Sequence, residues 1–378
     1  MNRSLQKNLA RIAVALTSIV VILGAYTRLV DAGLGCPDWP GCYGFLTVPS
    51  TETDIATANA RFPATPLEVE KGWPEMIHRY AASSLGLLVL VMTGIGFSRS
   101  RTRSDIPLQG NLNSNHNDSI SGQQRAFEPK WLMLIILAVV IIQGLFGMWT
   151  VTLKLWPQVV TLHLMGGFTT LSLLWWLNLK LSPSKPLIFR SQDQKNIKSI
   201  QLLAQAALLI VILQIVLGGW TASNYAAFAC PELPTCQSQW WPNADYAKGF
   251  NIFQHIGPNY LGGLLNNEAR VAIHFSHRLG AILTFTLVCI LCYRLWQSTT
   301  GLVAKKLLMT ILGLLMLQVG LGITNVLTHI QLYIAVAHNA VGAMLLLSLV
   351  TLNFRLKLIQ RQTSAESMSK LNTQLAQA

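Results

Sequence analysis

Four histidines lie inside long apolar stretches of this chain: His78, His163, His277 and His338. Polar side chains are costly in hydrocarbon, so intramembrane histidines are rare and point to function. With a rise of about 1.5 Å per residue, each sits roughly 5–10 Å from the same edge of the membrane core. A single imidazole in such a place packs or forms a hydrogen bond. Two on facing helices can hold a haem iron between them, and four then make two haem sites. Copper or a di-iron centre is the metal alternative; a di-iron centre needs several inward carboxylates, and only Glu75 is found beside these histidines. His274, one turn before His277, is an alternative ligand. His255 and His329 read as outer-loop residues, and His116 as a solvated loop residue.

Glu75 precedes His78 by three residues, which places both on one helix face. The same spacing later in the chain is filled by His274 and His277. A carboxylate beside an imidazole can hold a proton, orient water or stabilise a cation; its structural alternative is a helix-start acid facing the dipole. This difference suggests chemistry at the first pair and a permanently bound haem at the second. Arg79 and Arg278 directly follow their histidines, and Arg28 lies at the end of the first apolar block. Arginine pairs well with carboxylates such as haem propionates, although snorkelling to the membrane edge explains such positions equally well.

Cys36 and Cys42, and Cys230 and Cys236, carry the same spacing with five intervening residues. In an oxidising compartment each pair can close a small ring, Cys36–Cys42 and Cys230–Cys236. Free thiols and a redox-active pair are the other readings; the spacing does not suit a zinc knuckle. Cys289 and Cys292 fall inside an apolar block, where thiol packing outweighs redox chemistry.

These residues need elements that hold them in a membrane. Of the 378 residues, 52% are hydrophobic and 11% charged, with a net charge of +13. A soluble domain carries about 25% charged residues. Disorder and soluble nucleic-acid binding are both excluded by this composition, and no nucleic-acid partner is expected. Eight apolar blocks approach the ~20 residues needed to cross a bilayer: roughly 10–30, 76–97, 131–151, 158–180, 201–222, 271–294, 304–326 and 332–354. They are continuous runs, without the alternation of barrel strands. The expected fold is an all-α integral membrane protein with eight transmembrane helices. No small-residue cleavage site follows the first block, so it reads as a retained span. With the N-terminus inside, the inner segments hold 20 of the 28 Lys and Arg and 5 of the 15 acidic residues. The net is then +15 inside and −2 outside, so both termini are expected in the cytoplasm. Segment 98–130 reads as a flexible polar connector and the tail after Lys357 as frayed.

The blocks also repeat. Leu23–Cys42 aligns without a gap on Leu217–Cys236. His78-Arg79 recurs as His277-Arg278, and both Gln143–His163 and Gln318–His338 are separated by 20 positions. A fainter echo matches Gln143-xxx-Gly147 with Gln214-xxx-Gly218. The expected architecture is two tandem pseudo-symmetric four-helix bundles: 1–180 with the substrate site, 181–356 with the second haem, and a polar tail 357–378.

GLGCPDWPGC at Gly33–Cys42, Glu75-x-x-His78-Arg79, TLH at Thr161–His163, HRLGA at His277–Ala281 and HNAVGA at His338–Ala343 together resemble the haem A synthase family (CtaA-type), involved in cytochrome oxidase assembly. The resemblance covers nearly the whole chain. It implies oxidation of the C8 methyl of haem O to a formyl group by two successive hydroxylations through a hydroxymethyl intermediate. It implies that His78 and His163 hold the substrate haem, that Glu75 is needed for turnover, and that His277 and His338 bind haem b. It implies an outer-loop cysteine pair at Cys36 and Cys42. Expected partners are haem O, membrane lipid, and possible docking proteins such as a haem O synthase or cytochrome oxidase subunits, in a bacterial inner membrane. The competing functions are a di-haem b quinone-linked electron-transfer protein and a haem carrier without turnover.

Overall fold

The structure is a computed structural model that describes residues 3–104, 130–182, 187–190, 193 and 196–377, with side chains described over 4–97, 130–182, 187–190, 193 and 196–359. In chain order the helices are α1 (Arg3–Leu29), α2 (Glu52–Arg61), α3 (Val69–Ser104), α4 (Lys130–Thr152), α5 (Pro157–Leu181), α6 (Ile197–Ser223), α7 (Tyr246–Gly249), α8 (Asn267–Ser298), α9 (Leu302–Leu327) and α10 (Leu332–Gln377). Eight of them, all except α2 and α7, are long and apolar enough to cross a membrane. This is the expected all-α architecture, because only a helix satisfies its own backbone groups in hydrocarbon without closing a barrel.

Packing groups α1, α3, α4 and α5 together, and α6, α8, α9 and α10 together, with α5 and α1 touching α6 and α10 between the groups. Side chains such as Ile12, Leu87, Ile141, Leu209 and Ile282 face outward, as a lipid-facing surface requires. Apolar clusters fill one end of each group. In the first, Ala10, Ala13, Val89, Ile136, Leu174 and Leu177 meet. In the second, Ala204, Val288, Leu291, Leu308, Leu349 and Leu352 do so. On α3, α5, α8 and α10 the histidines lie a few turns from these clusters, toward the loops that carry the disulfides. Hydrocarbon packing thus closes one end and leaves polar side chains for the other.

The two groups are tied by polar bonds as well. Trp175 Nε1 on α5 donates to Thr351 Oγ1 on α10 at 2.8 Å, and the Thr161 and Ser223 hydroxyls meet at 3.0 Å between α5 and α6. On the opposite side from the disulfide loops, Ile188–Phe189 (β1) pairs antiparallel with Thr299–Thr300 (β2).

Two segments differ from the expectation. Residues 98–104 of the supposed connector continue α3, and the tail continues α10 to Gln377. A helix already nucleated by a long span extends at little cost into polar sequence that lacks Gly and Pro. Lys130 begins α4, and residues 105–129, including His116, lie outside the described residues.

Replacing Thr351 by Val keeps the side-chain shape and removes the acceptor of the α5–α10 hydrogen bond. Interhelical bonds of this kind contribute about 0.6 kcal/mol on average. Unfolding in detergent should therefore show a destabilisation of about that size, and of no more than ~1.7 kcal/mol.

Candidate functional site

His78 on α3 and His163 on α5 face each other. Their ring centroids are 6.4 Å apart and the planes cross at 89°. Two metal–nitrogen bonds of about 2.0 Å, with about 1.15 Å from each nitrogen to its ring centre, span ~6.3 Å. The pair therefore has the separation of two imidazoles on opposite sides of one metal. Both Nδ1 atoms are buried without a hydrogen-bond partner, which is unusual for buried polar atoms.

Each ring rests on a glycine of a neighbouring helix. A Cβ at Gly24 of α1 would stand 2.9 Å from His78 Cε1, and one at Gly147 of α4 would stand 3.5 Å from His163 Cε1. The second pair, His277 on α8 and His338 on α10, is seated alike: a Cβ at Gly218 of α6 or Gly322 of α9 would lie 3.2 Å from its histidine. Here glutamines join in. Gln214 Nε2 lies 3.1 Å from His277 Nδ1 and 2.9 Å from the His277 carbonyl oxygen. Gln318 Nε2 lies 3.2 Å from His338 Nε2, and His338 Nδ1 is left buried and unpartnered. At the first pair, two facing imidazoles with buried, unpartnered Nδ1 atoms are a donor set that fits a haem iron. Among the described residues, no group of three or more His, Cys, Asp or Glu is gathered as a metal cage would need.

Glu75 is buried, at 4% exposure. Its Oε2 accepts from Cys36 N at 2.9 Å, and its Oε1 pairs with Arg79. The other nitrogen of that guanidinium, Nη1, donates to the carbonyls of Asp38 at 3.0 Å, Pro40 at 3.2 Å and Gly41 at 2.5 Å. Cys36 and Cys42 are joined in a disulfide. Carboxylate, guanidinium and loop thus form one connected network over the end of α3 that carries His78.

Cys230 and Cys236 are likewise joined. Arg278 donates to the carbonyls of Thr235 at 2.9 Å and Cys230 at 2.6 Å. His274 stands where Glu75 would be expected; it is buried and its Nδ1 has no partner. Arg28 spans the two groups: Nη2 donates to the Ala222 carbonyl at 2.7 Å, the guanidinium lies 4.0 Å over the Tyr225 ring, and Tyr225 Oη donates to Asp31 at 2.8 Å. The three arginines marked as propionate partners are therefore already engaged with the chain's own loops. Cys289 and Cys292 are free on α8, half-buried and buried.

Sequence reasoning passed over Gln214, Gln318 and the four glycines as site residues. Their signal was the Gln-xxx-Gly spacing, which the structure turns into a histidine seat on α4, α6 and α9.

Arg79→Ala should leave Glu75 buried without its cation and free the Cys36–Cys42 loop. Removing one partner of a buried ion pair costs about 3–5 kcal/mol. The expected result is a lower unfolding midpoint and faster reduction of that disulfide by dithiothreitol, with reduction of Cys230–Cys236 unchanged, read by alkylation and mass spectrometry.

Residues 7–350 match the model of the family described as cytochrome oxidase assembly protein. The chain is 44% identical over 346 residues to a protein of Shewanella oneidensis named heme A synthase, covering 92% of this chain and 95% of that one. It is 26% identical over 353 residues to a heme A synthase of Rhizorhabdus wittichii, covering 88% of each. A heme A synthase of Caulobacter sp. is 26% identical over 364 residues, covering 92% of this chain and 94% of the relative. With so much of its length matched, and with paired imidazoles, a buried carboxylate and disulfide loops in the positions described, this chain belongs to the cytochrome oxidase assembly protein family.

Proposed function

We propose that this multi-pass membrane protein is a haem A synthase, an oxidoreductase that converts the C8 methyl of haem O to a formyl group. The observation that carries the reading is the facing His78–His163 pair at 6.4 Å, with a buried carboxylate three residues from His78 on the same helix face. In this reading residues 1–180 hold haem O between His78 and His163, and residues 181–356 hold haem b between His277 and His338. Haem b, when bound, supplies one-electron transfer.

The chain's own residues do the rest. The glycine seats fix the imidazole rings, and the two disulfide loops cover the ends of α3 and α8 and limit water there. Glu75 is held at Oε2 by Cys36 N and at Oε1 by Arg79. Each oxygen retains a lone pair, so the carboxylate can accept a proton and pass it on beside His78. Arg79 keeps the anion available between turnovers. Arg28, Arg79 and Arg278 act on propionates only at donors left free by the loops, such as the unpartnered Nε atoms of Arg28 and Arg278. A haem O synthase as supplier and cytochrome oxidase subunits as recipients are the partners this activity calls for. The inner membrane, with both termini cytoplasmic, is supported by the excess of Lys and Arg on one side.

Glu75→Gln preserves shape and can still accept from Cys36 N, so it separates chemistry from structure. Haems extracted from purified protein and separated by chromatography should be haem b with haem O or haem A in the wild type. The Gln variant should keep its haem content and stop at haem O or the alcohol. Undiminished haem A in that variant removes Glu75 from the chemistry. Haem b alone in both sites, in cells that make haem O, would instead support di-haem electron transfer.

A further inference from the structure

Each disulfide loop ends in apolar side chains that the chain itself leaves open. Cys42 bridges to Phe45 and Cys236 to Gln239, so each loop turns as a short antiparallel hairpin. The ungapped alignment of Leu23–Cys42 on Leu217–Cys236, carried four residues on, sets Leu46 opposite Trp240. Leu46 is 84% exposed and Trp240 76%, and Trp241 is exposed beside it. In the first hairpin Tyr43 and Val48 are buried under the loop, while Leu46 between them faces away. No charged residue lies between Phe45 and Thr51, or between Gln237 and Ala244. Large apolar side chains open at equivalent places, with no charge near them, mark a surface that something covers.

Both tips stand at the head of a lipid-facing helix stripe. On α3 the outward residues include Ile77, Tyr80 and Leu87, spaced for one helix face. Tyr80 Oη donates to the Leu46 carbonyl at 2.7 Å. On α8 Leu279 and Ile282 face outward in the same way. Phe275 continues that face by one more turn, yet it is buried, with Trp241 edge-on to it at 5.3 Å between ring centroids. Phe275 precedes His277 by two residues, about 3 Å along the axis. Trp241 therefore touches α8 inside the span, close to the depth of the histidines. The apolar surface of each span runs without a break onto its hairpin.

We propose that the two hairpin tips, Leu46 and Trp240–Trp241, lie in the interfacial layer of the bilayer on the disulfide side, with phospholipid as their partner. An indole suits that layer, because its ring is apolar and its N–H can meet a headgroup. Each hairpin is then held twice. From inside, Arg79 or Arg278 grips its backbone carbonyls. From outside, lipid covers its tip.

The photo-crosslinking residue p-benzoylphenylalanine, placed singly at Leu46 or Trp240 of the full-length protein, tests this in the membranes of the expressing cell. Both side chains are exposed, so neither replacement disturbs the packed part of the hairpin. Leu87, on the lipid face of α3, and Thr53, an exposed polar residue of α2, serve as positive and negative positions. After irradiation and purification, intact mass spectrometry should find phospholipid adducts at both tips in yields near that of Leu87, and far fewer at Thr53. A protein-sized adduct at either tip would show a second copy or another partner there and overturn the proposal. Absence of lipid adducts at either tip while Leu87 gives them, or tip yields no higher than that of Thr53, would overturn it as well.

Discussion

A bilayer core offers no water to a buried polar group, and everything else in this molecule is arranged around that shortage. The backbone meets it with helices. The side chains meet it by separating along the helix axis: apolar clusters at one end, and imidazoles, amides and one carboxylate at the other. Close helix approach at glycine is what allows the polar end to exist. A ring seated against Gly24, Gly147, Gly218 or Gly322 gives up its freedom without needing a water molecule to hold it.

The same shortage explains why the two sites are built with different neighbours. Glu75 is buried, and it is tolerated because Arg79 and the Cys36 amide satisfy it on both oxygens. His274 occupies the matching position, buried, with its Nδ1 unpartnered. Arg278 is then released to bind only its disulfide loop. The two loops are thus held by matching arginines through different sets of partners.

Much of this was legible beforehand. The eight spans follow from length and composition alone, because hydrocarbon thickness dictates both. The histidines stood out for being polar where polarity is expensive. The short helices α2 and α7 were not legible, since their sequences are polar and lie within outer loops, where caps such as Thr51 and Asp245 decide the conformation. The engagement of Arg28, Arg79 and Arg278 with backbone carbonyls was hidden as well. A sequence shows a guanidinium but not the loop that curls back over it. Gly24 and Gly218 were visible as aligned letters, yet their contacts lie on other helices, and only tertiary packing connects them to imidazoles.

Arg28, Arg79, Arg270 and Arg278 all lie on the disulfide side and all donate to backbone carbonyls. In the proposed orientation these four cations are on the side that insertion disfavours for positive charge. Folded, each is wrapped in the negative ends of peptide dipoles and presents little free charge to the lipid. Unfolded loops would expose the same four charges. Loop closure and arginine burial are therefore one event: each loop that folds supplies the carbonyls that cover a guanidinium, and each guanidinium gathers the loop that covers it.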